Sequence, residues 1–369
     1  MIGLYVHIPF CAVKCFYCDF AAFSGQNKQV DRYLAALASE AALRAPHAPD
    51  TLYVGGGTPS ELSAGQIDDL FARLRRAYPD ARLVETTFEA NPESLDEEKL
   101  AVLARSGVTR LSIGLQTADD ALLKAIGRRH KAADFARVLR AARAAGIPAL
   151  CVDLMYGLPG QTLDGLGSTL DSVLSLEPEH ISLYGLQVED RTIFAKRGVE
   201  EDQDMGREMY QLAIAALSRA GLEHYEISNF ARRGRRSRHN LNYWDRGEYM
   251  GLGCSSASFL GGVRSSNEEK IVPYMTAVEA GRRPTAETEA PAGLEALGEE
   301  AFLGLRLLEG FVPSKQTRES FAGPWAALKA RGLAREDGSR WRLTGEGVFL
   351  ANEVFKEFIP PFPRQEATA

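Results

Sequence analysis

Short apolar runs at residues 3–8, 51–54, 84–89, 110–113, 150–155 and 180–186 alternate with segments whose apolar positions repeat at helical spacing. This alternation constrains the fold more than anything else in the 369-residue chain. Parallel strands buried on both faces read as near-continuous apolar runs, and each must be joined to the next by a crossover. The crossover helices are expected at 30–43, 64–78, 96–105, 135–145 and 162–174. Ser63 followed by Gln66, and Ser94 followed by Glu97, read as capping boxes. Gly107 and Gly146 stand just past helix ends, where a left-handed residue is wanted. Six such units give an α/β fold with right-handed crossovers, either closing partway into a barrel or spreading as an open sheet. In both cases the functional loops follow the C-terminal ends of the strands.

The second half reads differently. A helix at 207–220 carries a core-facing stripe of Met209, Leu212, Ala213, Ala216 and Leu217. A strand-like stretch at 225–230 precedes the basic run Arg232-Arg233-Gly234-Arg235-Arg236-Ser237-Arg238. Residues 251–262 are rich in Gly, Ser and Cys. From about residue 290 the pattern is helical again, and the tail from Ala326 reads helix, hairpin, helix, with Glu336-Asp337-Gly338-Ser339 as the turn. That order resembles a winged helix. The expected units are therefore 1–225, a flanking segment 226–285, and a mostly helical, winged-helix-like domain 286–369.

The net charge of −6 argues against bulk nucleic-acid binding, and residues 324–331 offer only Lys329 and Arg331 to a groove. There is no apolar run of membrane-spanning length and no basic flank or cleavage site at the N-terminus. A cytosolic, reducing location is expected. Five cysteines, three of them within eight residues, are no disulfide framework.

Those three, Cys11, Cys15 and Cys18, form C-x3-C-x2-C immediately after the first strand. Three thiolates on one short loop suit three irons of a 4Fe-4S cube and leave the fourth iron open to a ligand. Zinc is the competing reading, with His7 as a fourth donor, although this spacing is unusual for zinc. Cys151 and Cys254 read as buried small residues.

The C-x3-C-x2-C run after a first strand resembles the signature of the radical S-adenosylmethionine (SAM) superfamily. Within it, Tyr5-Val6-His7-Ile8-Pro9-Phe10-Cys11 resembles the oxygen-independent coproporphyrinogen III oxidase family. Gly55-Gly56-Gly57-Thr58-Pro59, Glu89-Ala90-Asn91-Pro92, Ser112-Ile113-Gly114-Leu115-Gln116 and residues 153–162 agree, each at a strand end and in order. The resemblance implies a partial six-stranded parallel, TIM-like β/α barrel of the radical SAM type with a C-terminal helical domain. It implies a 4Fe-4S cluster on Cys11, Cys15 and Cys18, and SAM bound by Tyr5, Tyr17, Gly56, Gly57, Thr58, Glu89, Gln116, Arg128 and Asp153. No catalytic residue is assigned. Read without it, the glycine triplet permits close backbone approach, and the polar strand ends are a candidate shell for one ligand.

The chain departs from the oxidase pattern in two places. Phe20 stands where the oxidases carry a fourth cysteine, and only Met1 to Gly3 precede the first strand. His239-Asn240-Leu241-Asn242-Tyr243-Trp244 instead matches the H-N-x-x-Y-W run of haem chaperones related to that family. The resemblance implies haem as cargo, with His239, Asn240, Tyr243 and Trp244 as its contacts. The charge of Arg232–Arg238, just before His239, suits haem propionates or an anionic membrane surface, the alternative being a solvated loop. The resemblance also implies acceptor haemoproteins, membrane-bound respiratory enzymes among them, an electron donor, and a place in the cytoplasm or at the inner membrane's surface. A homodimer is compatible with it. The alternatives are porphyrinogen oxidation, as an oxidoreductase in haem biosynthesis, and another radical SAM enzyme activity.

Overall fold

The computed structural model describes residues 1–44 and 47–362. Strands β1 (Ile2–Ile8), β2 (Phe10–Cys11), β3 (Phe23–Ser24), β4 (Thr51–Gly56), β5 (Glu85–Ala90), β6 (Arg110–Gln116), β7 (Ala149–Tyr156) and β8 (His180–Gly185) occupy the first half. The six expected strands are β1, β4, β5, β6, β7 and β8, neighbours in that order and all parallel. Between them lie helices α1 (Val30–Arg44), α2 (Ala64–Ala77), α3 (Glu97–Arg105), α4 (Asp120–Ala125), α5 (Ala132–Ala144) and α6 (Leu163–Leu174). The α/β reading is borne out.

The sheet is larger than the sequence pattern suggested. After α7 (Ile193–Lys196) and α8 (Gln203–Arg219), the short hairpin β9 (Glu223–Glu226) and β10 (Asn229–Ala231) adds antiparallel to β8. Helix α9 (Arg238–Trp244) leads into β11 (Glu248–Leu252), which pairs parallel to the free side of β1. Then β12 (Ala257–Leu260), β13 (Val263–Asn267) and β14 (Thr285–Glu289), with α10 (Ile271–Glu279) inserted, extend it antiparallel. The order runs from β14 to β9 over twelve strands, so four strands of the sheet, β10 to β13, lie between residues 226 and 285.

Alternation along each strand separates two faces. Leu4, Val6 and Ile8, Leu52 and Val54, Phe88, Leu111 and Ile113, and Val152 and Leu154 are buried with helix residues such as Leu37, Leu70 and Leu139 in one core. Tyr5, Tyr53, Glu89, Ser112 and Asp153 take the other positions: Tyr53 donates to Glu89, Ser112 donates to Asp153, and the Tyr5 ring packs beside that of Tyr53. This face is the polar interior on which the site is built.

Ser63 and Gln66 do form a capping box. The second expected box does not form: Leu95 stays extended, and Asp96 caps α3 by accepting from the Lys99 amide at 2.8 Å. Ser94 ends a preceding one-turn 3-10 helix. Gly107 and Gly146 have φ of +86° and +85°, as helix ends require.

The tail contains α11 (Leu294–Leu305), α12 (Lys315–Ser320), α13 (Ala322–Ala330), the hairpin β15 (Ala334–Asp337) and β16 (Arg340–Leu343), then α14 (Gly345–Phe349) and α15 (Ala351–Phe355). Gly338, at φ +61°, makes the hairpin's two-residue turn. Trp325 packs at 4.6 Å from Trp341 and 4.5 Å from Phe358 between ring centroids, which ties hairpin and helices together.

Candidate functional site

Residues 11–18 leave β1 at its C-terminal end, where β4 delivers Gly55-Gly56-Gly57. Gly56 has φ +112°, and a Cβ there would lie 2.5 Å from the His7 ring. At Gly57 a Cβ would meet the Ile8 and Phe10 carbonyls at 2.9 Å. Both positions need glycine so that β4 and the cysteine loop can approach each other.

Cys11 is buried, with its Sγ 3.1 Å from the Thr58 hydroxyl, while Cys15 and Cys18 are half-buried. Burial pushes the Cys11 thiol up to about 11 and raises Cys18 as well. Such thiols ionise only when a cationic partner is provided. The Arg128 guanidinium donates to Cys15 Sγ at 3.7 Å, and the half-buried Tyr17 lies beside Arg128 and Cys15. Among the described residues no three His, Cys, Asp or Glu side chains gather around a single point as one metal ion would need. His7 is no zinc donor. Its Nε2 bonds the Ala21 carbonyl at 2.9 Å, and its Nδ1 lies 3.0 Å from the Tyr5 hydroxyl. A carbonyl only accepts, so Nε2 carries the proton and Nδ1 accepts from Tyr5. His7 thus ties down the far end of the cysteine loop.

The other expected residues converge on the same end of the sheet. Glu89 accepts from the Tyr53 hydroxyl at 2.5 Å and the Gly56 amide at 3.1 Å. Burial pushes its carboxyl up to about 7, the two hydrogen bonds pull it back in part, and Asp153 adds to the rise. Asp153 is also raised by burial, although both its oxygens accept from Ser112 at 3.1 and 3.2 Å. Arg128 is spanned between Asn91 Oδ1 at 2.8 Å and the Gly114 carbonyl at 2.5 Å, with its buried Nε–H left unpartnered. Gln116 has φ +72°, at a break in the β6–β7 register. A left-handed glutamine costs about 1 kcal/mol or more and persists only where the surroundings fix it. These residues form a pocket wall with a desolvated carboxylate, an unfilled guanidinium donor and closely approaching glycine backbone. Such a wall suits a ligand carrying both ammonium and carboxylate groups.

Tyr53 and Asn91 complete the wall; the sequence shows Asn91 only inside the Glu89–Pro92 run, with no role of its own, and does not mark Tyr53. Tyr53 reads there as one more apolar strand residue. Its role comes from pairing β4 with β5, which places it beside Glu89.

The H-N-x-x-Y-W run lies elsewhere. His239 Nδ1 is 2.8 Å from Thr51 Oγ1, and a Cβ on Gly3 would touch the ring at 3.0 Å. Gly3 and Thr51 are at the N-terminal ends of β1 and β4, opposite the cysteines. Five residues of strand, at about 3.3 Å each, separate the two ends by roughly 16 Å. Buried Glu85 accepts from the Arg238 and His239 amides at 2.8 and 3.0 Å, which caps α9. His239 Nε2 is 2.9 Å from the Tyr243 hydroxyl, so both ring nitrogens are occupied. Burial holds its pKa down to about 3, and the ring is neutral. A ligand reaching either His239 nitrogen would have to displace the hydroxyl of Thr51 or Tyr243. Asn240 is half-buried. Trp244 lies under the Arg306 guanidinium at 4.1 Å.

The basic run is also partly spoken for. Arg236 pairs with Glu223 at 2.6 Å and Glu309 at 3.0 Å, and Arg232 donates to the Pro178 carbonyl at 3.1 Å. Arg233, Arg235 and Arg238 remain exposed. Cys151 and Cys254 are buried as expected, with Cys151 Sγ 2.9 Å from His180 Nδ1. No helix among the described residues is long and apolar enough to cross a membrane.

Comparison with known proteins follows the same lines. Residues 5–173 match the model of the Radical SAM superfamily. The protein called heme chaperone HemW of Bacillus subtilis is 38% identical over 97% of this chain and 99% of its own length. Those of Mycobacterium tuberculosis and Escherichia coli, under the same name, are 35% and 32% identical over 97% of the chain. Among solved structures, coproporphyrinogen III oxidase of Escherichia coli superposes with a TM-score of 0.86 over 98% of this chain and 90% of its own, at 24% identity, a likeness of fold.

Proposed function

The chain belongs to the radical SAM superfamily and, within it, to the family of the proteins named heme chaperone HemW, and we propose that it binds haem and passes it to acceptor haemoproteins. The observation that carries this reading is likeness to those proteins along the whole chain, 38% identity over 97% of it, rather than over the cysteine domain alone. The departure at Phe20, which is 67% exposed in the cysteine loop, supports cargo handling over porphyrinogen oxidation.

Cys11, Cys15 and Cys18 would hold a 4Fe-4S cluster. Their surroundings fit thiolate sulfur, with a hydroxyl at Cys11 and a guanidinium at Cys15. Tyr5, Tyr17, Gly56, Gly57, Thr58, Glu89, Gln116, Arg128 and Asp153 would surround SAM. When bound, the cluster supplies one-electron chemistry to SAM. Glu89 supplies negative charge to a cationic ligand, and Arg128 is anchored to receive a carboxylate. The glycines admit the ligand's backbone-like atoms, and Tyr53 fixes the Glu89 carboxylate. The protein works in a reducing compartment, in the cytoplasm or against the inner face of a membrane, where an electron donor and a haem acceptor meet it.

The test is an anaerobic haem titration of the cluster-loaded protein, followed by mixing with an apo-haemoprotein. Saturable stoichiometric binding and transfer are expected. Absence of saturable binding, together with turnover of coproporphyrinogen, would replace this reading with the oxidase one.

A further inference from the structure

Strand β6 changes register where it enters the pocket. Gly114 stands opposite Asp153 of β7, Gln116 stands opposite Leu154, and Leu115 between them has no partner on β7. An extra residue in one strand bends it and re-aims a side chain. Here that side chain is Gln116, at φ +72°. A left-handed residue other than glycine persists only where its surroundings over-determine it.

Two side chains from the loop between α4 and α5 supply that constraint. Arg128 donates to the Gly114 carbonyl, and His130 Nε2 lies 3.2 Å from the Leu115 carbonyl. A carbonyl only accepts, so Nε2 carries the proton and donates. Both side chains are backed by the segment after β5. Asn91 Oδ1 accepts from Arg128 at 2.8 Å. Glu93 Oε2 lies 3.2 Å from His130 Nδ1, close but too bent for a hydrogen bond. Burial would raise the Glu93 carboxyl, and the His130 ring and Arg128 outweigh it, holding that carboxyl below its usual range. Two rungs thus tie the same three segments together, Asn91–Arg128–Gly114 and Glu93–His130–Leu115. His130 is only 3% exposed, so its part is to hold backbone rather than to meet a ligand.

Resting on the reading that Gln116 and Arg128 surround SAM, we infer that His130 is a positioning residue for that site: it holds the Leu115 carbonyl and so fixes the left-handed turn that aims Gln116 at the ligand. Arg128 secures the residue before Leu115, and His130 secures Leu115 itself. His130 acts through Gln116 and does not touch SAM.

The test separates the two ring nitrogens. Glutamine sets an amide nitrogen where Nε2 stands and keeps the donor to Leu115. Asparagine reaches only as far as Nδ1 and loses that donor, and methionine fills the space with no donor at all. The cluster-loaded full chain is titrated with SAM by calorimetry as wild type, His130→Gln, His130→Asn and His130→Met, and a SAM-free crystal structure of each gives φ at residue 116. His130→Gln should bind SAM within about twofold of wild type, with Gln116 still left-handed. The other two should bind about tenfold more weakly, the worth of one buried hydrogen bond, with Gln116 moved out of that region. In a Gln116→Ala background, His130→Asn should weaken binding no further. Equal losses in all three variants, no loss in any, or a loss that adds in full to that of Gln116→Ala would overturn the role. If wild type does not bind SAM, the SAM reading falls. A Gln116 that stays left-handed in His130→Asn and His130→Met overturns the positioning role whether or not SAM binds.

Discussion

Replacing Glu89 by Gln separates what the site costs from what it does. Glu89 ordinarily titrates near 4.5 and here near 7, chiefly because burial disfavours its charge. With no ligand bound, a shift of that size destabilises the fold above neutral pH by about 3 kcal/mol, at ~1.36 kcal/mol for each pH unit. The sign follows from proton uptake. The folded carboxyl binds its proton more tightly than the unfolded one, so stability falls as pH rises from about 4.5 to about 7. Glutamine carries no charge to desolvate, but its amide nitrogen cannot accept the hydrogen bond from either Tyr53 or Gly56. Losing one such bond returns about 1–2 kcal/mol. The variant should therefore be more stable than wild type by about 1–2 kcal/mol at pH 8, and no more stable at pH 4.5. Urea unfolding of the SAM-free protein across pH 5–9 measures this. SAM affinity, by calorimetry, should fall at least tenfold in the variant and, in wild type, decline as pH drops below about 7. A variant equally or less stable at pH 8, or a difference that does not change with pH, would refute the reasoning.

Three further perturbations test other parts of the architecture. Cys15→Ser should lose the cluster's visible charge-transfer absorbance, and unchanged iron and sulfide content would remove these cysteines as ligands. Gly56→Ala sets a methyl group 2.5 Å from the His7 ring, so it should displace the cysteine loop and lower SAM affinity and iron content together; normal values for both would show that the approach is not needed. Glu40→Ala should destabilise the protein by roughly 3–5 kcal/mol in urea unfolding, because it leaves Arg44 buried without its partner. Glu40 is fully buried, bonded to Arg44 at 3.0 Å, Asn267 and Tyr274 at 2.7 Å, and the Gly253 amide at 2.8 Å. A loss below about 1 kcal/mol would mean water replaces the network.

By itself the sequence determined the βα order, the six parallel strands and the position of the cysteine loop at a strand end. These are local properties: apolar runs, helical spacing and adjacency along the chain. It also located the polar residues that close each strand, since the C-terminal strand ends share one edge of the sheet. Tertiary structure decided what no local pattern carries. Residues 248–252 became the parallel neighbour of β1 through pairing with a strand some 240 positions away. Glu40, an unremarkable helix glutamate in sequence, became the hub of a buried network because α1, β13 and α10 meet there. His239 is the sharpest case. Its motif implies a haem contact, while packing decided which partners its ring holds: Gly3 lies against it, and the Thr51 and Tyr243 hydroxyls meet its two nitrogens. A motif fixes which side chains are available, whereas the direction in which each one points is set by the neighbours that the fold brings to it.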